Sequence, residues 1–160
     1  MANSTTDPIA QLMQEHNDAL SNLKLLNKAV AAFTRDGYSA KNYKQILEAL
    51  AYIEAEVGDH NKREEDALFP VLERYVEGPT KAMRDDHKKL KKASIQLKKA
   101  VEKVNAHRDS FSAIKAMSTI ATGVVQLFVN HIHKENHILF PMVQQLISKE
   151  ELREVARKML

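Results

Sequence analysis

Two stretches of this chain place an imidazole and a carboxylate four residues apart and then end on the same tripeptide. "DHNKREEDALFP" (59–70) holds His60, Glu64 and Leu68-Phe69-Pro70, and "NHIHKENHILFP" (130–141) holds His131, Glu135 and Leu139-Phe140-Pro141. Residues four apart on a helix share a face, with Cβ atoms about 5–6 Å apart, so each pair can present both groups to one point. The two stretches are related by an offset of 71 residues, and the same offset relates His16 to His87. Within each half, the lone histidine precedes the paired one by 44 residues. Either pair alone would read as a solvated helix face. The doubling at matched gaps points instead to a shared site.

If antiparallel neighbours bring the lone histidines level with the pairs, four imidazoles and two carboxylates converge. A carboxylate can bridge two cations, and bridging is how two like charges are held close together. Inward-facing Glu and His on the helices of a bundle are a known way to build a two-metal carboxylate site. This donor set suits iron, manganese or zinc, and the lack of sulfur disfavours copper(I) and iron–sulfur clusters. Burying two carboxylates without a cation would be costly. The pattern therefore reads as a two-metal centre.

The elements that must position these residues are all helical. "TTDPIAQLM" offers Asp7 as a cap and Pro8 at the first helical position, followed by an apolar stripe from Ile9 through Leu23 to Phe33. Gly37 stops that helix, and a second runs from about Ala40 with Ile46, Leu50 and Ile53 on its core face. Pro70 is expected to kink or end the second helix, and Gly78-Pro79 closes the segment. A third helix spans Pro79 to about Asn105. Ser110 caps a fourth that passes Pro141, and "SKEEL" fits a capping box, Ser148 with Glu151, that opens a short fifth. No alternating strand pattern competes. The expectation is an all-α, up-down four-helix bundle in a single domain of residues 1–160, the bundle at about 8–147 and an additional C-terminal helix at about 149–160.

With 160 residues, 44% apolar and 28% charged, the chain has the composition of a soluble globular protein with a sizeable core. It has no cysteine, hence no disulfide, thiolate ligand or catalytic thiol. No signal-like segment opens it and no apolar run is expected to span a membrane, so a cytoplasmic location is the expectation. The lysine-rich stretch "DDHKKLKKASIQLKKA" (85–100) reads as a solvated helix face in preference to a phosphate-binding one, given a net charge of only +3. No covalent nucleophile, phosphate loop or cofactor fingerprint supports a hydrolase or kinase.

The order His, His-x3-Glu-Glu with Leu-Phe-Pro, His, His-x3-Glu with Leu-Phe-Pro resembles the hemerythrin-like (HHE cation-binding) family across about residues 8–147. The resemblance implies an up-down bundle holding a non-haem di-iron centre. Its two iron ions would be held by His16, His60, Glu64, His87, His131 and Glu135, with Glu64 and Glu135 bridging. It also implies a small diatomic gas or peroxide as the molecule bound or reduced, with oxygen, nitric oxide and peroxide all open. Oxygen-carrying members have a second histidine one turn after the first on helix 3 and a His-x4-Asp pair on helix 4. Here those places hold Lys91 and His131-x3-Glu135, which speaks against reversible oxygen carriage. The pattern looks closer to bacterial hemerythrin-like proteins and to di-iron proteins linked to iron–sulfur repair. Those add an N-terminal cysteine-bearing domain.

Other candidates rank below these six. His107, His133 and His137 have no histidine at the corresponding position of the other half. Glu56, His60 and Glu64 form one i, i+4 stripe, so Glu56 could complete a coordination position or hydrogen-bond a ligand histidine. Tyr52 reads as core packing, Glu65 as a surface or supporting residue, and Lys91 as a side chain within reach of the pocket. Three functions compete: a gas- or peroxide-reactive di-iron protein in sensing, stress protection or iron-centre maintenance; an iron-handling or buffering protein; and a metal-independent helical interaction module using the lysine-rich face. A redox partner protein fits the first. Nucleic acid and membrane are not expected partners, and a monomer or small homo-oligomer is expected.

Overall fold

A computed structural model describes residues 7–160. Among them there is no strand; the chain forms α1 (Pro8–Asp36), α2 (40–72), α3 (Pro79–Ala106), α4 (Phe111–Leu146) and α5 (Lys149–Lys158). The boundaries have the local causes that the sequence suggests. Asp7 accepts from the Ile9 amide with Pro8 at the first position, and Ser110 accepts from Ala113; Ser39, a cap that the sequence reading did not name, accepts from Asn42. Gly37 takes φ +83° and Gly78 φ +105°, conformations that other residues rarely adopt, so the chain turns at both. Ser148 and Glu151 complete a reciprocal capping box that starts α5.

α1 packs along α2, α3 along α4, and α1 along α4, which closes an up-down bundle. The buried stripes make two apolar clusters. One contains Leu26, Phe33, Ile46, Leu97, Val101, Met117 and Val124. The other contains Leu12, Leu68, Phe69, Leu72, Leu139, Phe140 and Val155, the last contributed by α5. The buried polar and charged residues are few, and six of them are His16, His60, Glu64, His87, His131 and Glu135.

Both prolines lie inside helices. α2 continues past Pro70 to Leu72, where a kink or an end was expected, and α4 passes Pro141 and runs to Leu146, as expected. The turn before each proline is a π turn, Glu64–Leu68 and Glu135–Leu139, with the Phe69 amide bonded to the Glu64 carbonyl and the Phe140 amide to that of Glu135. A proline inside an α-helix loses an amide donor and its ring meets the carbonyl four residues back. The wider turn takes those carbonyls out of that register, so the helix absorbs the ring. α4 also contains an 18-residue window apolar and long enough by composition to cross a membrane, a test that the core helix of a bundle passes as well. In the bundle its apolar side faces the core, together with His131 and Glu135.

Candidate metal centre

Each hairpin contributes one pair of imidazoles. His16 of α1 and His60 of α2 have ring centroids 4.8 Å apart, and His87 of α3 and His131 of α4 have theirs 4.9 Å apart. The carboxylates lie between the pairs. Glu64 Oε1 is 3.1 Å from His60 Nε2 and 3.5 Å from His87 Nε2, while Glu135 Oε1 is 2.7 Å from His131 Nε2 and 3.4 Å from His16 Nε2. Each glutamate thus touches one imidazole of its own hairpin and one of the other. Potential donor atoms of His16, His60 and Glu135 fall within 4.8 Å of one another, as do those of Glu64, His87, His131 and Glu135. All six residues that the spacing singled out are brought together.

The inward atoms have no hydrogen-bond partners. Both oxygens of Glu64 and of Glu135, and Nε2 of His60, His87 and His131, are buried and unsatisfied among the described residues. Orphaned buried groups of this kind are rare in folded proteins because each costs its full desolvation. Two fully buried carboxylates ringed by imidazole nitrogens are a donor set that a pair of divalent cations would satisfy, so the residues present fit such a metal pair.

The outward nitrogens are all engaged. His60 Nδ1 lies 3.4 Å from Glu15, which also pairs with Arg63; His131 Nδ1 lies 3.1 Å from Asp86, which also pairs with Lys134 at 3.1 Å. His87 Nδ1 meets Glu65 at 3.0 Å and His16 Nδ1 meets the Asn136 side-chain oxygen at 2.7 Å. A carboxylate or amide oxygen accepts, so each Nδ1 carries a proton and Nε2 is the nitrogen left facing inward, the ring orientation that a metal ligand needs once a cation takes the place of any Nε2 proton. The rings are held from the side as well. Phe69 stacks on His87 (17° between planes) and Phe140 on His16 (19°). The phenylalanine of each Leu-Phe-Pro therefore orients the lone histidine of the opposite hairpin.

The local electrostatics favour positive charge at the centre. Burial works against a charged His131, yet contact with Glu135 carries its pKa up to about 9. Burial opposes charge on His60 too, and the Glu64, Glu15 and Glu56 carboxylates still hold it well above the usual range. Burial would raise Glu135, but contacts with Glu64, His131 and His16 hold it well below. Protons drawn here are what a metal cation would displace on binding.

Sequence reasoning missed the outer partners Glu15, Arg63, Asp86, Lys134 and Asn136. Their signal was present: Glu15 and Asp86, Arg63 and Lys134, and Glu65 and Asn136 obey the same 71-residue offset. Glu56 does not join the inner cluster; an additional π turn, Glu56–His60, sets it 3.2 Å from His60 Nδ1, and burial pushes its pKa up to about 7. Tyr52, raised to about 12 chiefly by burial, makes no side-chain hydrogen bond among the described residues. His133 and His137 stack on each other at the surface, and His107 is exposed at the end of α3.

With this fold and cluster in place, the comparison with known proteins is consistent. Residues 7–143 match the Hemerythrin HHE cation binding domain, and the chain belongs to that family. It is also similar to the iron-sulfur cluster repair protein YtfE of Yersinia pseudotuberculosis, in strains IP 31758, YPIII and IP32953. Each is 24% identical over 137 residues, 83% of this chain. The match takes in 61% of those relatives' own length.

Proposed function

We propose that His16, His60, Glu64, His87, His131 and Glu135 hold two iron ions as a non-haem di-iron centre that binds or reduces a small molecule of the oxygen, nitric oxide or peroxide kind. The observation that carries this reading is the convergence of four orphaned carboxylate oxygens and three orphaned imidazole nitrogens in one buried place. Iron bound there would supply an open coordination position and reducing electrons. The chain's own residues supply the rest. Glu15, Glu65, Asp86 and Asn136 fix the tautomer of the four imidazoles; Glu64 and Glu135 tie the two hairpins together; Phe69 and Phe140 set ring orientation; and the apolar clusters on either side exclude water. We place the protein in the cytoplasm, drawing electrons from a redox partner protein, with a role in stress protection or iron-centre maintenance.

The printed name of the relatives favours iron-centre maintenance, and also a second reading in which the site hands iron on. Metal content per chain, measured by elemental analysis after iron-supplemented expression, separates these. About two irons per chain, lost when Glu64 and Glu135 are both replaced by alanine, supports the di-iron centre and leads to oxygen and nitric oxide titrations. A single, easily removed metal supports the handling role. No metal in a folded protein overturns both and leaves a helical interaction module.

A further inference from the structure

The centre is nearly symmetric, but its surroundings are not. Between α2 and α3 lies a cleft of about 550 Å3 that reaches His87, and its lining includes Gly58, Asn61, Lys88, Lys91 and Ser94. Under the 71-residue offset, the positions corresponding to Gly58, Asn61, Lys91 and Ser94 are Val129, Ile132, Leu20 and Leu23. Those four are apolar, with Leu23 and Ile132 buried and Leu20 and Val129 packed against the core. One side of the bundle is filled; the other is opened and made polar at the same places.

Two groups in the cleft lack a partner. Asn61 is 5% exposed and Ser94 4%, and both Asn61 Nδ2 and Ser94 Oγ are buried without a hydrogen bond among the described residues. A mid-helix serine ordinarily bonds back to the carbonyl four residues earlier; Ser94 does not. Unsatisfied donors of this sort are costly unless something accepts from them. The charge at the mouth is also unbalanced. Glu65 is committed to His87 and Glu54 to Lys98, while the lining residues Lys62, Lys88 and Lys91 form no ion pair among the described residues. The lysine-rich stretch that reads as a plain solvated face in sequence supplies that excess positive charge.

We propose that this cleft binds a small oxyanion or carboxylate and holds it beside His87, with Ser94 Oγ and Asn61 Nδ2 donating to its oxygens and Lys88 and Lys91 balancing its charge. Donors at the floor and cations at the mouth are the arrangement that charge-assisted hydrogen bonding to an anion requires. The binding groups belong to the chain and do not include the metal-site residues, so the proposal stands or falls separately from the di-iron reading.

The test is calorimetric titration of the purified full-length protein with formate, with metal content measured on the same samples. Saturable binding to the parent protein is expected. It should weaken about tenfold in Ser94→Ala, where a hydrogen bond to a charged group is lost, and comparably in Lys88→Gln/Lys91→Gln. Ser94→Leu, which installs the residue type found at the corresponding position of the other half, should abolish it while helicity and melting temperature hold. Lys115→Gln, outside the cleft, should change nothing. Formate binding with equal affinity in all these variants, or no saturable binding to the parent, overturns the proposal. Binding that tracks metal content and ignores the variants likewise overturns it, while leaving the metal centre intact. Variant-sensitive binding in a metal-free protein supports the cleft and sinks the di-iron reading alone.

Discussion

The two hairpins of this bundle agree inside and differ outside. Ligand for ligand, α1–α2 and α3–α4 present the same imidazoles, the same carboxylate, the same π turn before proline and the same stacked phenylalanine. Apart from the cleft at Ser94, they part at three places around the imidazoles. Glu65 faces His87 where Asn136 faces His16, Glu56 adds a second carboxylate at His60 where the other half has Leu127, and α2 carries an extra π turn at 56–60. Symmetry is kept in the inner donor set, where both sides present the same imidazoles and carboxylate. It is given up one layer out, where the two imidazole pairs can be given different surroundings without disturbing the donor set.

The largest effects should come from the inner layer and be equal across the halves. Glu64→Ala and Glu135→Ala should each lose most bound metal, since each carboxylate reaches imidazoles of both hairpins; elemental analysis that finds one variant fully loaded breaks the equivalence. Next come Leu68→Ala and Leu139→Ala, both fully buried at matched positions, with about 2–5 kcal/mol of unfolding free energy lost in each by denaturant titration. A clear difference between them would locate looser packing in one half.

The outer layer is where the halves should separate. Replacing Glu15 by Gln removes a partner of His60 and should cost about 10–100-fold in metal affinity, as supporting partners of ligand histidines typically do. It also has a pH signature. Burial would raise Glu15, but His60 and Arg63 bring its pKa down to about 2 from 4.5, so its stabilisation is complete above about pH 4.5 and lost as the pH falls towards 2. Acid-unfolding curves of the parent and Glu15→Gln should therefore converge over that window. Asp86, also held low by His131 and Lys134 against the effect of burial, should show the same sense in Asp86→Asn. The smallest effect is expected from Gly58→Ala. Gly58 sits in the extra π turn with open space around an added Cβ, so alanine should stabilise the protein by about 0.5–1 kcal/mol in thermal unfolding.

Much of this was legible in the sequence. The six inner residues were readable because an i, i+4 pair is a local signal and its repetition at a fixed offset is a global one. The caps at Asp7, Ser110 and Ser148 were readable for the same local reason. Pro70 read only as a kink or an end because helix-breaking assumes α register, and the π turns that absorb its ring and that of Pro141 depend on i→i+5 bonding that no propensity announces. Glu15 and Asp86 were hidden because each sits next to one histidine in sequence but serves another on the neighbouring helix. The cleft at Ser94 depends on how α2 and α3 pack, which spacing within either helix does not convey.

The crossed contacts of Glu64 and Glu135 have a consequence for any chain severed in the 73–78 connection. Each fragment would carry two imidazoles and a single carboxylate, half a coordination set, together with a broad apolar face and no opposite hairpin to cover it. Neither fragment could assemble the centre by itself, and mixing the two would restore it by association. In this protein, intactness of the site is a report on the pairing of the hairpins.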